Sequence, residues 1–173
     1  YSYAVVASDA DGDTLTYTKT QGPEWLSFDG STLSGTPSND DVTEGVDVVV
    51  TVTDGVAEVT QSYTLVVSNV NDAPEITSDA PLTASQGTLY SYAVVASDAD
   101  GDTLTYTYQG PGWLDFRDPD NPNVLSGTPS NDDVTEEGVD VVVTVTDGVA
   151  EDTQPYTLKV GNVNDAPEIT SDA

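Results

Sequence analysis

The sequence contains no cysteine and no histidine, and only three of its 173 residues are basic. Without cysteine the chain can form neither disulfides nor thiol-based sites. Without histidine and cysteine it also lacks the side chains that most often act as general bases and nucleophiles. No apolar run approaches the roughly 18 residues that a membrane-spanning helix needs. These absences argue against membrane insertion and against most classes of enzyme.

Acidic side chains dominate what is present. Asp and Glu number 31 and the formal net charge is −28 at pH 7, so nucleic acid and anionic membranes, which both need a basic face, are excluded as partners. Two interpretations of the acid remain open: a solvated surface like that of halophilic proteins, or a set of cation sites. Aspartate supplies most of the acid, and it is both a good turn residue and a good ligand for hard cations.

The sequence repeats itself. The stretch YSYAVVASDADGDTLTYT at residues 1–18 recurs at 90–107, and GVDVVVTVTDGVAE at 45–58 recurs at 138–151. A spacing of roughly 90 residues is typical of a small all-β domain. We therefore predict a first repeat at residues 1–70, a complete second repeat at 71–163, and a linker with the first strand of a following repeat at 164–173.

The repeats are out of phase with the two chain ends. The first repeat lacks everything that matches Pro74–Leu89, whereas the last residues begin the repeat again. One explanation is a segment taken from a longer array. The other is that Pro167–Ala173 supplies the missing first strand to another molecule, head to tail, because an open sheet edge invites strand addition.

The secondary structure predicted from the pattern is almost entirely β. No stretch has a convincing helical period, while Val-, Thr- and Tyr-rich runs alternate in polarity between Gly-, Pro- and Asp-rich turns. Such a series of short strands predicts a Greek-key β-sandwich of about seven strands in each repeat, the first repeat lacking its first strand. The strands expected in the complete repeat are Glu75–Ser78, Thr88–Ser97, Thr103–Tyr108, Trp113–Phe116, Val124–Gly127, Val139–Asp147 and Thr153–Val160.

Five motifs occur in the same order in both repeats: VVASDADGDTLTYT, GPxWL, LSGTP, VTVTDG and VNDAPEI. Together they resemble the cadherin-like repeats of microbial cell-surface proteins, including the dystroglycan-type and putative-Ig groups. They are also similar to animal cadherins, whose repeats carry an Asp-x-Asp loop, a late Asp-Gly and an Asn-Asp-x-x-Pro linker. The resemblance implies two tandem Ig-like, cadherin-like sandwiches, an extracellular or cell-surface location, and Ca²⁺ at the junctions.

One part of the sequence departs from the animal pattern. Animal cadherins carry a Leu-Asp-Arg-Glu stretch whose acids help to bind calcium, whereas the corresponding segments here read TPSNDDVTE, at Thr36–Glu44 and Thr128–Glu136. The departure implies one or two ions at each junction rather than three.

The DADGD loops are the strongest candidate ligands. Alternate residues of an extended loop share a face, so Asp98 and Asp100 could hold one ion, with Gly101 permitting a tight turn. A helix–loop–helix calcium site would need Glu at the twelfth position of the loop. That position is Thr20 in the first repeat and Gln109 in the second, so we reject that kind of site.

The resemblance implies how each site is completed. The linker residues Asn71 and Asp72 would face Asp98, Asp100 and Asp147 of the second repeat. Asn164 and Asp165 would serve a following repeat, while Asp9, Asp11 and Asp54 would need a linker from outside the sequence. The acids of the DADGD loops, and Asp54 and Asp147, could instead form plain turns. Further candidate ligands are Asp13, Asp40, Asp41, Glu44, Asp102, Asp132 and Asp133.

The function expected from these features is a calcium-rigidified structural or adhesin repeat in an extracellular stalk or fibre. Its partners would be neighbouring repeats or other copies. The alternative is a calcium-dependent carbohydrate-binding module that binds polysaccharide through Trp25 and Trp113, although a Trp placed between strands is more often a core residue. Enzymatic activity is not expected, because paired carboxylates acting as acid and base need a cleft.

Overall fold

The computed structural model describes residues 1–168, which form two compact units, Tyr1–Val70 and a second unit that begins at Asn71. The described residues contain fourteen strands and two three-residue 3₁₀ turns, Asn39–Asp41 and Asn131–Asp133. The prediction of an all-β fold is therefore confirmed. Within residues 1–168, no helix is long and apolar enough to span a membrane.

The first unit is built from two antiparallel sheets. The order of strands is β1-β4-β3 in one sheet and β2-β5-β6 in the other. Its strands are β1 (Ser2–Ala4), β2 (Thr16–Gln21), β3 (Ser27–Asp29), β4 (Thr32–Ser34), β5 (Thr43–Thr53) and β6 (Glu58–Val67).

The second unit repeats this plan with added strands. Its largest sheet has the order β11-β13-β14-β8, and the pairs β12-β9 and β10-β7 complete the unit. Its strands are β7 (Glu75–Ile76), β8 (Thr83–Ser85), β9 (Tyr90–Ala93), β10 (Ala96–Ser97), β11 (Thr105–Gln109), β12 (Val124–Gly127), β13 (Thr135–Thr146) and β14 (Glu151–Gly161).

Three details of the strand prediction were wrong. The single strand expected at Thr88–Ser97 is divided into β9 and β10, because the chain changes its pairing partner from β12 to β7. The segment Trp113–Phe116 begins in a turn, and its only ladder contact in the described structure is an isolated bridge between Asp115 and Ser126. The pattern missed β8, a short strand without apolar alternation, which pairs in parallel with β14.

The alternating valines of β5 and β13 form much of the hydrophobic core in each unit. In β13, Val141, Val143 and Val145 have no exposed surface. Their counterparts in β5, Val48, Val50 and Val52, are at most 7% exposed. Since alternate strand residues share a face, each strand presents one row of valines to the interior. The buried cluster of the first unit is Val5, Leu26, Leu33, Val48, Val50 and Val52. That of the second is Tyr90, Tyr92, Val94, Leu114, Leu125, Val141, Val143, Val145 and Leu158.

Candidate metal centre

The loop between β10 and β11 carries the sequence DADGD and folds tightly around Asp98. The Oδ1 of Asp98 accepts hydrogen bonds from the backbone N–H groups of Asp100, at 2.9 Å, and Asp102, at 3.2 Å. Gly101 has a φ of 77°, which residues with a side chain rarely adopt. The loop amides thus use one oxygen of Asp98 and leave the other for a further partner.

Three carboxylates converge in this loop. One oxygen from each of Asp98, Asp100 and Asp102 lies within 4.8 Å of the other two. The Oδ2 of Asp98 and the Oδ1 of Asp100 are buried and have no hydrogen-bond partner among the described residues. Buried carboxylate oxygens that have lost water and repel one another are costly. A hard cation would offset both costs, so this donor set fits an oxygen-ligated ion such as Ca²⁺.

The linker residues Asn71 and Asp72 lie against this loop. The backbone N–H of Asp72 donates to the Oδ2 of Asp100 at 2.6 Å. The side-chain amide of Asn71 donates to the Oδ2 of Asp147 and to the carbonyl of Asp72, both at 2.9 Å. The linker therefore joins the DADGD loop to the turn that follows β13.

Asp147 uses its two carboxylate oxygens for two purposes. Its Oδ1 accepts from the backbone N–H groups of Val149 and Ala150, both at 2.6 Å, which closes the Asp-Gly turn. Hydrogen bonds from the Ala150 N–H, the Asn71 side chain and the Val149 N–H lower the pKa of Asp147. A charged carboxylate thus stabilises the turn through Oδ1 and meets the linker through Oδ2.

The first unit contains the same loop, and its described hydrogen bonds are formed within the loop. The Oδ1 of Asp9 accepts from the N–H groups of Asp11, at 2.8 Å, and Asp13, at 3.2 Å. Asp54 closes its turn as Asp147 does, and the N–H groups of Ala57 and Val56 lower its pKa. Asp11 is exposed, whereas its counterpart Asp100 is half-buried.

Two of the further candidates, Asp41 and Asp133, stabilise local turns that were not predicted from the sequence pattern. The Oδ2 of Asp41 accepts from the backbone N–H and the hydroxyl of Ser38, at 2.8 and 2.7 Å. Asp133 and Ser130 make the same pair of bonds at 2.8 and 2.6 Å. The repeated SNDD sequence, with Ser three residues before Asp, is the signal that could have revealed these turns.

Three further candidates lie in or next to these turns along the chain. Asp40, Glu44 and Asp132 are exposed. Their place in a metal site stays a prediction.

The second linker is attached to the second unit by Gln86. The Nε2 of Gln86 donates to the Oδ2 of Asp165 at 2.9 Å, and the N–H of Val163 donates to the Oε1 of Gln86 at 3.1 Å. Asn164 donates to the carbonyl of Asp165 at 3.2 Å, as Asn71 does in the first linker. The expected contacts of Asn164 and Asp165 with a following repeat stay a prediction.

Both tryptophans pack at the margin of a core. The ring of Trp113 meets Tyr90 edge-on, with centroids 6.2 Å apart, and Trp25 meets Tyr1 in the same way at 6.3 Å. Both indoles are half-buried. This packing is typical of a core residue with one accessible edge rather than of a flat exposed platform.

Known proteins resemble most of the chain. Chitinase A of Pseudoalteromonas piscicida is 29% identical over 147 residues, which cover 83% of this chain and 17% of the chitinase. The chain thus spans less than a fifth of that relative. An endo-fucoidan hydrolase of glycoside hydrolase family 107 is similar in structure, with a TM-score of 0.45 and 27% identity, over 89% of this chain and 24% of the hydrolase.

A second structural relative matches along most of its own length. Human protocadherin-24 EC1-2 has a TM-score of 0.52 and 16% identity, over 95% of this chain and 88% of that one. This likeness shows the fold and confirms two tandem sandwiches of the Ig-like, cadherin-like kind.

The family match covers both units. The family described as Putative Ig domain matches residues 1–68 and again residues 73–161. The resemblance inferred from the five motifs is thereby confirmed. The chain belongs to the Putative Ig domain family and carries two tandem copies of its domain.

Proposed function

We propose that this chain is a non-catalytic, extracellular structural repeat of a microbial surface protein, stiffened by Ca²⁺. The observation that carries the proposal is the pair of buried carboxylate oxygens, Asp98 Oδ2 and Asp100 Oδ1, that have no partner among the described residues. These two residues and Asp102 would hold the ion.

Calcium would act on the linker through charge. Asn71 and Asp72 already contact the acidic loop and the Asp147 turn through hydrogen bonds. A divalent ion supplies positive charge that cancels the repulsion among the carboxylates beneath the linker. The linker would then be fixed to the second unit, and a chain of such repeats would resist bending.

An extracellular location follows from the affinity that such sites usually have. Calcium sites in extracellular modules have dissociation constants of about 10⁻⁴–10⁻³ M, so calcium outside the cell fills them and cytosolic calcium does not. At 100 times the dissociation constant, one ion adds about 2.7 kcal/mol to the free energy of unfolding. A net charge of −28 makes this gain important, since like charges oppose compaction.

Thermal unfolding of metal-free protein tests the proposal. We expect about 10 mM Ca²⁺, which is 100 times a dissociation constant of about 10⁻⁴ M, to raise the melting temperature of the second unit by roughly 10 °C, given about 4–8 °C per kcal/mol for a domain of this size. Equal concentrations of Mg²⁺ control for ionic strength. Asp118→Asn removes an exposed acid of the same unit outside the cluster, and it should keep the full response. An unchanged melting temperature in Ca²⁺ would contradict the proposal.

A second candidate function is polysaccharide binding, favoured by the similarity to a chitinase over 83% of this chain. Trp113 would supply the contact through its accessible edge. Binding to a panel of insoluble polysaccharides that includes chitin, with and without Ca²⁺, separates this function from a spacer. Retention that depends on Trp113 supports the module, while no retention on any polysaccharide supports the spacer.

A further inference from the structure

The chain contains five Asp-Gly bonds, the sequence in which aspartate isomerises most readily. Glycine has no side chain to shield its backbone nitrogen, so that nitrogen can reach the carboxyl carbon of the preceding aspartate. Hydrogen bonds around each bond determine which of them can react. The five are Asp11-Gly12, Asp29-Gly30, Asp54-Gly55, Asp100-Gly101 and Asp147-Gly148.

Two of these bonds lie in turns that hold both reacting groups. The Oδ1 of Asp54 accepts from the N–H groups of Val56 and Ala57, both at 2.7 Å. The N–H of Gly55 donates to the Oγ1 of Thr53 at 3.0 Å. The corresponding turn of the second unit, which follows β13, makes the same three bonds. Ring closure between the carboxyl carbon and the glycine nitrogen would first have to break them.

The two DADGD loops hold the backbone on both sides of their glycine. In the first unit the Oδ1 of Asp9 accepts from the N–H groups of Asp11 and Asp13, which flank the loop glycine. The second unit makes the same two bonds, and there the linker also holds the carboxylate of Asp100. These bonds oppose the backbone rotation that the reaction requires.

Asp29-Gly30 differs from the other four bonds. It lies at the tip of the hairpin between β3 and β4, where both residues are exposed and Gly30 has a φ of 61°. Asp29 pairs with Thr32 at the end of its ladder, the part of a strand that frays most easily. Among the described residues, none donates a hydrogen bond to the carboxylate of Asp29 or accepts one from the N–H of Gly30. Both reacting groups are therefore free.

The second unit has no Asp-Gly bond at this place. The matching segment, Arg117–Val124, is longer, and its Asp118 and Asn121 are each followed by proline. A proline nitrogen carries no hydrogen, so it cannot close the same ring with the preceding side chain. The free bond is thus a feature of the first unit.

We propose that Asp29 is a site of spontaneous isomerisation to isoaspartate. The nitrogen of Gly30 bonds to Cγ of the protonated side chain, and its proton leaves with the carboxyl hydroxyl as water. Water then adds to one carbonyl of the cyclic imide and breaks one carbon–nitrogen bond. Breaking the bond to Cγ restores aspartate. Breaking the bond to the main-chain carbonyl carbon gives isoaspartate, whose backbone runs through Cβ and Cγ.

Incubating the whole chain in heavy-oxygen water, in chelator, tests the proposal. Each passage through the imide places a solvent oxygen in the residue, and peptide mass spectrometry reports the label at each Asp-Gly bond. At the turns after β5 and β13 a hydrogen bond to a charged group must break first. We therefore expect Asp29 to be labelled about tenfold faster than Asp54 or Asp147. Equal labelling of the three would overturn the proposal.

The same incubation in guanidinium chloride controls for the sequence around each bond. In the unfolded chain all five Asp-Gly bonds should be labelled at similar rates, because the hydrogen bonds that distinguish them are lost. A preference for Asp29 that persists in denaturant would show that the fold is not its cause, and would refute the inference.

Proteolysis identifies the product. A protease that cleaves before aspartate does not cleave before isoaspartate, so the aged chain should progressively lose cleavage before Asp29. Cleavage before Asp54 and Asp147 should be retained. Full cleavage before Asp29 in a chain that has taken up the label would mean that the imide reopens only to aspartate, and isoaspartate would be excluded as the product.

Discussion

The backbone N–H of Asp72 lies 2.6 Å from the Oδ2 of Asp100, so a linker amide and a loop carboxylate form a direct hydrogen bond. The other oxygen of Asp100 is buried without a partner in the described part of the chain. One carboxylate thus connects the linker to the proposed ion. In the first unit the equivalent Asp11 is exposed.

Asp100→Asn should therefore affect stability differently with and without calcium. In Ca²⁺ the variant loses a charged ligand, and we expect most of the roughly 2.7 kcal/mol of linked stabilisation to disappear. In metal-free buffer it removes like-charge repulsion, so its melting temperature should equal or exceed that of the parent chain. Asp11→Asn is the matched control and should change the calcium response of the second unit very little. Equal losses in the two variants would contradict this prediction.

Asp152→Val should loosen the edge strand β7. Asp152 accepts from the backbone N–H of Ile76 at 2.9 Å and from that of Thr153 at 2.8 Å. Hydrogen bonds to a charged group contribute about 1.5–3 kcal/mol, so the second unit should lose an amount in that range. Hydrogen exchange at Ile76 should become faster. Asp140→Val, which removes a side-chain contact with Thr157 on the same sheet, should leave that exchange rate unchanged.

Gly127→Ala should destabilise the second unit strongly. A Cβ at Gly127 would lie 1.9 Å from the carbonyl oxygen of Trp113, and backbone must move to relieve that overlap. Overpacking of this kind typically costs about 1–3 kcal/mol, and we expect the upper end of that range. Gly112→Ala, where a Cβ meets nothing within 4 Å, is the control. Denaturant unfolding followed by Trp113 fluorescence in a Trp25→Phe background measures both changes.

Alkaline titration should reveal three late-titrating tyrosines among the nine. Burial, and then the hydrogen bond with its neighbouring hydroxyl, raises the pKa of Tyr156 and of Tyr63 well above 10, and burial raises that of Tyr90. Since these folded-state pKa values exceed the unfolded value, their stabilising contribution is complete below about pH 10 and is lost as the pH rises further.

Absorbance at 295 nm measures this ionisation directly. The ionisation of Tyr156, Tyr63 and Tyr90 should be delayed to a higher pH than that of an unfolded tyrosine. Tyr156→Phe should reduce the late amplitude by one tyrosine. Ionisation of all nine in a single phase, while the circular dichroism is still native, would show that the prediction is wrong.

Local patterns accounted for most of the fold. The alternation around Val48 to Val52 predicted β5, and the matching run predicted β13, because side chains of a strand point alternately to its two faces. The same patterns did not predict β8, whose three residues are held by parallel pairing to β14. They also predicted β9 and β10 as one continuous strand. The chain changes its pairing partner between them, and the hydrophobic pattern of the sequence does not indicate that change.

The sequence pattern predicted only part of the candidate site. The Asp-x-Asp spacing correctly marked Asp98 and Asp100 as neighbours. It could not show that the Oδ1 of Asp98 is used by loop amides, nor that Asp41 closes a turn with Ser38. Both depend on which oxygen each amide reaches.

By itself the sequence determined the β class, the repeat and the positions of the acidic turns, because alternation and turn chemistry act between residues that are close along the chain. Only the tertiary structure decided which carboxylates meet the linker and which oxygens stay without a partner. The contact between Asn71 and Asp147 joins residues 76 positions apart. Strand pairing and core packing bring such residues together, and no local pattern encodes that distance.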